Sequence, residues 1–224
     1  MRINGEISLP GDKSISHRSL MFASLTDGEC IIHNISTCKD VESTRKCLLD
    51  CGIESRKDNG SIFIAGNEFR DPTATLDCGN SGTTTRLISG LLSGQGSNAQ
   101  LCGDDSLSSR PMGRIFVPLT EMGAEISSTD GMLPLSISAT LLNGIEYTLP
   151  VASAQVKSSI ILAALGANGA STIIEPIKTR DHTELMLQYL GANISVSNKE
   201  ILVSPLKGKL HSFELNVPGD PSSA

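Results

Sequence analysis

The chain has 224 residues, 39% of them hydrophobic but only 3% aromatic and none of them Trp, so its core must be aliphatic. A formal net charge of −6 excludes a duplex-binding surface, which needs surplus Lys and Arg, and the few aromatics leave no stacking platform for single strands. No apolar run is long enough to span a bilayer, no apolar signal core follows Met1, and the six cysteines form no CxxC pair, so a cytoplasmic protein with reduced thiols and no metal is expected.

In chain order, residues 3–9 read as a strand closed by Pro10-Gly11. A helix over 14–25 and a strand over 30–33 follow. A second, amphipathic helix ends in Cys47-Leu48-Leu49-Asp50-Cys51 and is stopped by Gly52, a residue suited to the left-handed position after a helix. After a polar turn, Ile62 and Ile64 alternate as in a strand. The same order returns: a helix over 82–92, a strand over 100–102, a helix stopped by Gly123, a turn at Asp130-Gly131 and a strand over 133–137. It returns again: a helix over 153–165, a strand over 171–174, a helix stopped by Gly191, a turn at Asn198-Lys199 and a strand over 201–203. Residues 213–217 read as a last strand, ended by Pro218-Gly219, and neither end segment is expected to complete a repeat.

Three helix–strand–helix–hairpin units at near-constant spacing are the mark of a repeat architecture, whose units bury their apolar faces only against one another. The expected fold is one α/β domain, helices inside and sheets outside, about a pseudo-threefold axis.

Small polar residues and cations gather where the first helix of each unit begins. Pro10-Gly11-Asp12-Lys13-Ser14 leads into a helix that carries Arg18 one turn on. The N–H groups and dipole of a helix start favour an anion. Ser14 and Arg18, four apart, share a face, and with Lys13 they could hold a carboxylate or phosphate together; the same residues also read as a capped helix with solvated cations. Gly79-Asn80-Ser81-Gly82 opens the second such helix, with Arg86 one turn inside. There Asn80 is a candidate cap, and Gly82 allows close approach to a ligand. Ser153 opens the third, as a phosphate contact or as an ordinary N-cap. Arg110 stands in a loop before Pro111, and Lys178-Thr179-Arg180-Asp181-His182 starts the last helix, where Thr179 or Asp181 could cap. Packed about one axis, these N-termini would form an anion-attracting surface.

Five motifs, Pro10-Gly11-Asp12-Lys13-Ser14-Ile15-Ser16-His17-Arg18, Gly79-Asn80-Ser81-Gly82-Thr83-Thr84-Thr85-Arg86, Ser109-Arg110-Pro111-Met112, Ser153-Ala154-Gln155-Val156-Lys157-Ser158 and Thr179-Arg180-Asp181-His182-Thr183-Glu184, stand in the order seen in the 5-enolpyruvylshikimate-3-phosphate synthase family, which the whole chain resembles. The resemblance implies a domain of three βαβαββ-type repeats over 14–217. It implies that residues 1–13 are a strand and first crossover belonging to another domain, that 218–224 are part of a second crossover, and that the chain is one half of a protein about twice its length. It implies transfer of the enolpyruvyl group of phosphoenolpyruvate to the 5-hydroxyl of shikimate 3-phosphate, without a cofactor, with this half inactive alone and the molecule a monomer.

Roles carry over by position. Lys13 resembles the lysine between both substrates that contributes to proton transfer. Ser14 and Arg18 match the pair that holds the shikimate carboxylate, and Ser153 and Ala154 the pair at the phosphate of shikimate 3-phosphate. Gln155 matches the glutamine that bridges the two ligands, and Thr179 and His182 fall beside the phosphate. Asn80, Gly82 and Arg110 match the phosphoenolpyruvate side. Ala154 lacks a hydroxyl, Thr179 replaces Ser and His182 replaces Tyr, a pattern that resembles the branch less sensitive to glyphosate. Two other readings compete: a transferase acting on UDP-N-acetylglucosamine, which has no carboxylate for Ser14 and Arg18 to hold, and an anion-binding module without chemistry.

Overall fold

The computed structural model of the protein describes residues 9–220. The strand expected over 3–9 lies outside them except for Leu9, as do the last four residues of the expected second crossover. The first unit comprises α1 (Lys13–Ala23), β1 (Glu29–His33), α2 (Lys39–Asp50), β2 (Ser55–Asp58) and β3 (Ser61–Ala65). The second comprises β4 (Leu76–Asp77), α3 (Gly82–Gly94), β5 (Ala99–Cys102), the short α4 (Asp105–Ser108), α5 (Gly113–Glu121), β6 (Glu125–Thr129) and β7 (Met132–Ser138). The third comprises β8 (Glu146–Thr148), α6 (Ala154–Ala164), β9 (Ser171–Ile174), α7 (His182–Tyr189), β10 (Ile194–Ser197) and β11 (Glu200–Val203), and β12 (Glu214–Asn216) follows.

The repeat is visible in the sheets. Their strand orders are β12-β1-β3-β2, β4-β5-β7-β6 and β8-β9-β11-β10. In each, the strand after the first helix pairs in parallel on one side and with an antiparallel hairpin on the other. This corrects one expectation. The closing strand does complete a repeat, because β12 lies parallel to β1 with Ile31 opposite Glu214 and Leu215 opposite Ile32, and so supplies the first sheet with the outer strand that β4 and β8 supply to the others. In sequence it lay too far from β1 to be assigned to it.

Gly52, Gly123 and Gly191 end α2, α5 and α7 with φ of 88°, 102° and 84°, the left-handed region that a side chain disfavours. Helices α1, α3 and α6 are buried on nearly every side, as a central helix must be. Leu87, Ile88 and Leu91 of α3 and Ile160 and Ile161 of α6 are almost wholly buried, each contributing about 1.5–3 kcal/mol relative to exposure. Gly90 lets α3 approach α6: a Cβ there would stand 2.1 Å from the Ser159 carbonyl oxygen, so Gly90→Val would force the central helices apart. Among the described residues, no helix is long and apolar enough to cross a membrane.

Candidate functional site

Because α1, α3 and α6 pack side by side in the same sense, their N-termini meet at one end of the domain. A cleft of about 380 Å³ opens there, lined by Lys13, Ser14 and Arg18 of α1, Thr83 of α3, Ser153, Ala154 and Gln155 at the start of α6, and Arg180 and His182 at the start of α7. Seven of the residues singled out in sequence thus share one cavity, although they come from segments about 170 residues apart.

Local caps set each helix start. Asp12 Oδ1 accepts the Ile15 N–H at 2.8 Å, and Ser81 Oγ accepts the Thr84 N–H at 3.1 Å. Ser81, not Asn80, therefore caps α3. Asn80 is turned outward, donating to both carboxylate oxygens of Asp104 and accepting from Arg110 Nη2 at 2.7 Å. Ser153 caps α6 through a long 3.3 Å bond from the Val156 N–H, which leaves its hydroxyl weakly engaged at the cleft.

Arg18 is 4% exposed. It donates from Nε to Thr183 Oγ1 at 2.7 Å, from Nη2 to Ser158 Oγ at 2.7 Å and from Nη1 to the Ser14 carbonyl at 3.0 Å. This fork fixes the guanidinium plane at the cleft wall. Burial pulls its pKa down to about 10; Glu184 opposes that shift and Arg180 adds to it, yet the group stays charged at neutral pH. Lys13 pairs with Asp40 of α2. His17, beneath it, is wholly buried and shares a 2.7 Å hydrogen bond with Thr44 Oγ1 through Nδ1; burial first, and Lys13 next, lower its pKa to about 3.

Gln155 joins this cleft to a second cationic group. Its Oε1 accepts from Arg86 Nη1 at 2.8 Å and its Nε2 donates to Thr83 Oγ1 at 2.8 Å. Burial and the neighbouring Arg110 and Arg114 lower the Arg86 pKa. A Cβ on Gly82 would stand 2.6 Å from Arg86 Nη1 and 3.7 Å from Arg110 Nη1, so Gly82 is where both guanidinium groups approach the backbone. Asn80, Gly82 and Arg110 thus gather beside the cleft without lining it. Thr179 also stands off the cleft wall: its N–H, at 2.7 Å, and its hydroxyl both donate to Glu175.

Four polar neighbours were assigned no role in sequence. Arg86 stands in α3 within one position of where Arg18 stands in α1, about one turn from the start, and that near-repeat was a usable signal. Thr83 and Arg180 lay within quoted motifs, but only packing turns them inward; Arg180 Nη1 reaches Ser14 Oγ at 3.3 Å. Asp40 carried no signal, because its tie to Lys13 spans 27 positions. The arrangement can hold a small polyanion between three helix N-termini and at least three cations. Among the described residues, no group of three or more His, Cys, Asp or Glu side chains is gathered as for a metal ion, and all six cysteines are free thiols.

Comparison with known proteins places this geometry in a family. The chain is 50% identical over 228 residues to a 3-phosphoshikimate 1-carboxyvinyltransferase of Lactococcus lactis subsp. cremoris (strain MG1363), covering 99% of this chain and 53% of that protein. It is 49% identical over 227 residues to one of Ruthia magnifica subsp. Calyptogena magnifica, covering 99% and 52%. The solved EPSP synthase of Acinetobacter baumannii superposes with a TM-score of 0.93 at 42% identity, covering 97% of this chain and 50% of that one. The chain spans about half the length of the curated relatives it matches. The family model for EPSP synthase (3-phosphoshikimate 1-carboxyvinyltransferase) matches residues 1–224, and the chain belongs to that family.

Proposed function

We propose that this chain forms the shikimate 3-phosphate-binding half of an enolpyruvyl-transfer site, acting with a second half of the kind that completes its relatives. One observation carries the reading: three helix N-termini and the cations Lys13, Arg18 and Arg180 converge on a single cleft sized for a phosphorylated six-membered ring. Arg18, with Ser14 beside it, holds the ring carboxylate. Ser153, the backbone at Ala154, and His182 face the ester phosphate, with Thr179 shaping the loop that leads to His182.

Phosphoenolpyruvate lies on the Gln155 side, between Lys13 and the group of Asn80, Gly82 and Arg110. Its methylene carbon takes a proton, the 5-hydroxyl oxygen attacks the adjacent carbon, and loss of a proton from the new methyl group expels phosphate. Lys13, between the two subsites, is suited to move a proton there, and its bond to Asp40 orients it. Such steps need groups within hydrogen-bond reach and a preorganised site, with no cofactor.

The domain then runs over 14–217, with 1–13 as a strand and first crossover belonging to the other domain and 218–224 as part of the second crossover. Supporting this, Gly11 bridges Gly219 antiparallel, the Asp12 N–H donates to the Pro218 carbonyl at 2.8 Å and the Asp220 N–H to the Pro10 carbonyl at 2.8 Å, so both segments leave side by side. The test is calorimetric titration of the chain with shikimate 3-phosphate and, separately, UDP-N-acetylglucosamine. Saturable binding of the first alone is expected. Binding of the nucleotide sugar alone, or of neither, overturns the assignment.

A further inference from the structure

Beneath the cleft lies an ionic cluster whose residues do not line it. Lys157, on α6 two residues after Gln155, has 0% of its side chain exposed. Its ammonium meets Glu184 Oε1 of α7 at 2.7 Å and the Glu175 carboxylate, just past β9, at 3.1 Å. A buried ion pair of this kind stabilises a fold no better than well-packed apolar side chains, so its presence calls for a geometric reason. The reason lies in what Glu175 does next. Its Oε1 accepts both the N–H and the hydroxyl of Thr179, the residue immediately before Arg180. The loop between β9 and α7 is otherwise largely exposed: Pro176, Ile177, Lys178 and Arg180 all face solvent. On its far side, Thr183 accepts from Arg18 and shares a 2.6 Å hydrogen bond with Ser158.

We propose that Glu175 is a positioning residue of the cleft: anchored by the buried Lys157, it fixes the loop at Thr179 so that Arg180, which reaches Ser14 Oγ at 3.3 Å, and His182 line the ligand cleft. This rests on the reading of the cleft as a shikimate 3-phosphate site. It also gives Thr179 a different part from direct contact, since both its donors are spent on Glu175.

The test uses the whole chain and two readouts. In Glu175→Gln, amide hydrogen exchange at Thr179 should quicken about tenfold while Ser158 and Ile160 in α6 change less than about twofold, the pattern of a local opening. By calorimetry, shikimate 3-phosphate affinity should fall about tenfold, the scale of a lost hydrogen bond to a charged group. The same substitution made on Arg180→Ala should cost less than about twofold, because residues that act through one another are not additive. Unchanged exchange at Thr179, exchange that rises uniformly across the chain, or an equal affinity loss in both backgrounds overturns the proposal. If the parent chain binds no shikimate 3-phosphate, the cleft reading fails, and the exchange result still decides whether Glu175 orders the loop. Should Glu175→Gln fail to fold, Thr179→Val keeps the ionic cluster intact: a loss of about threefold that vanishes on Arg180→Ala supports positioning, and an unchanged affinity overturns it.

Discussion

Gln155 Oε1 accepts a 2.8 Å hydrogen bond from Arg86 Nη1, and this bond ties the cleft at the start of α6 to the cationic group at the start of α3. Both side chains are only partly buried, so each remains accessible to a ligand. In a double-mutant cycle with Gln155→Ala and Arg86→Ala, read as shikimate 3-phosphate affinity, a coupling of about 0.5–3 kcal/mol is expected, the range for directly bonded residues. Additive losses would mean that the bond does not organise the site.

Arg18 should matter more than a surface cation of equal charge. Its three-way fork to Thr183, Ser158 and the Ser14 carbonyl presents the guanidinium in one orientation. Arg18→Ala should weaken shikimate 3-phosphate binding by about 1.5–3 kcal/mol, whereas Lys178→Ala, which breaks an ion pair whose ammonium side chain is 77% exposed, should cost under about 1 kcal/mol. Arg18→Lys should not rescue, since one ammonium cannot reproduce the planar fork. Calorimetry on the three variants checks the order; equal losses for Arg18→Ala and Lys178→Ala would remove Arg18 from the site.

These two residues show what the sequence could and could not disclose. The glycine stops at 52, 123 and 191, the hairpin alternation and the repeating order of elements are local patterns, and each was legible. So was the family resemblance that marked Arg18 and Gln155. Contacts that depend on how the units close upon one another were not. The pairing of β12 with β1 joins residues about 180 positions apart, and strands as short as β4 and β8 give no period to read. Asn80 looked like a cap because its neighbour Ser81 is chemically as suitable; only the backbone path decides between them. The turn of Thr179 away from the cleft toward Glu175 is likewise a product of packing, since a threonine near a helix start reads the same whether it faces a ligand or a buried carboxylate.

Ser153 offers a test of cap against contact. As a cap it holds the Val156 N–H by a 3.3 Å bond, so Ser153→Ala should lower folding stability by about 0.5–2 kcal/mol, read by urea unfolding. As a phosphate contact its loss should also weaken shikimate 3-phosphate binding by about 1 kcal/mol while leaving unphosphorylated shikimate nearly unaffected. An equal loss on both ligands would leave only the cap.

His17 predicts a pH dependence of stability with a definite sign. Its folded pKa is lowered from 6.5 to about 3, so between those values the unfolded chain binds a proton that the folded chain refuses. Its stabilising effect is full above 6.5 and is lost as the pH falls toward 3, by at most about 5 kcal/mol at the bottom of that window. His17→Asn keeps a polar partner for Thr44 without titrating there. Its unfolding free energy should therefore fall less than that of the parent between about pH 7 and about pH 4. Parallel profiles in urea titrations would exclude His17 as the group responsible.

The last expectation concerns turnover. The chain should fold by itself, because three units close a shared core around α1, α3 and α6, and β12 supplies the strand that the first sheet would otherwise lack. It should bind shikimate 3-phosphate, since the cleft residues matched to that ligand are already in place. It should not release phosphate when given phosphoenolpyruvate as well. Enolpyruvyl transfer passes through a charged species that must be stabilised by fixed dipoles in a water-excluded site, whereas Lys13 is about half exposed, with 45% of its side chain open to solvent, and Arg180 and Asn80 are exposed. Solvent at so exposed a site would screen Lys13 from the developing charge and leave the proton transfer uncoupled from attack by the hydroxyl. The relatives are about twice as long as this chain, and the second half of a family member is the natural source of an opposing wall. Phosphate release should be measured with both substrates, first with this chain alone and then after adding that half as a separate chain. Release only in the mixture supports a site divided between two halves. Release by this chain alone, at a rate the mixture does not raise, would show that Lys13 and Gln155 work in open water and that the division is wrong.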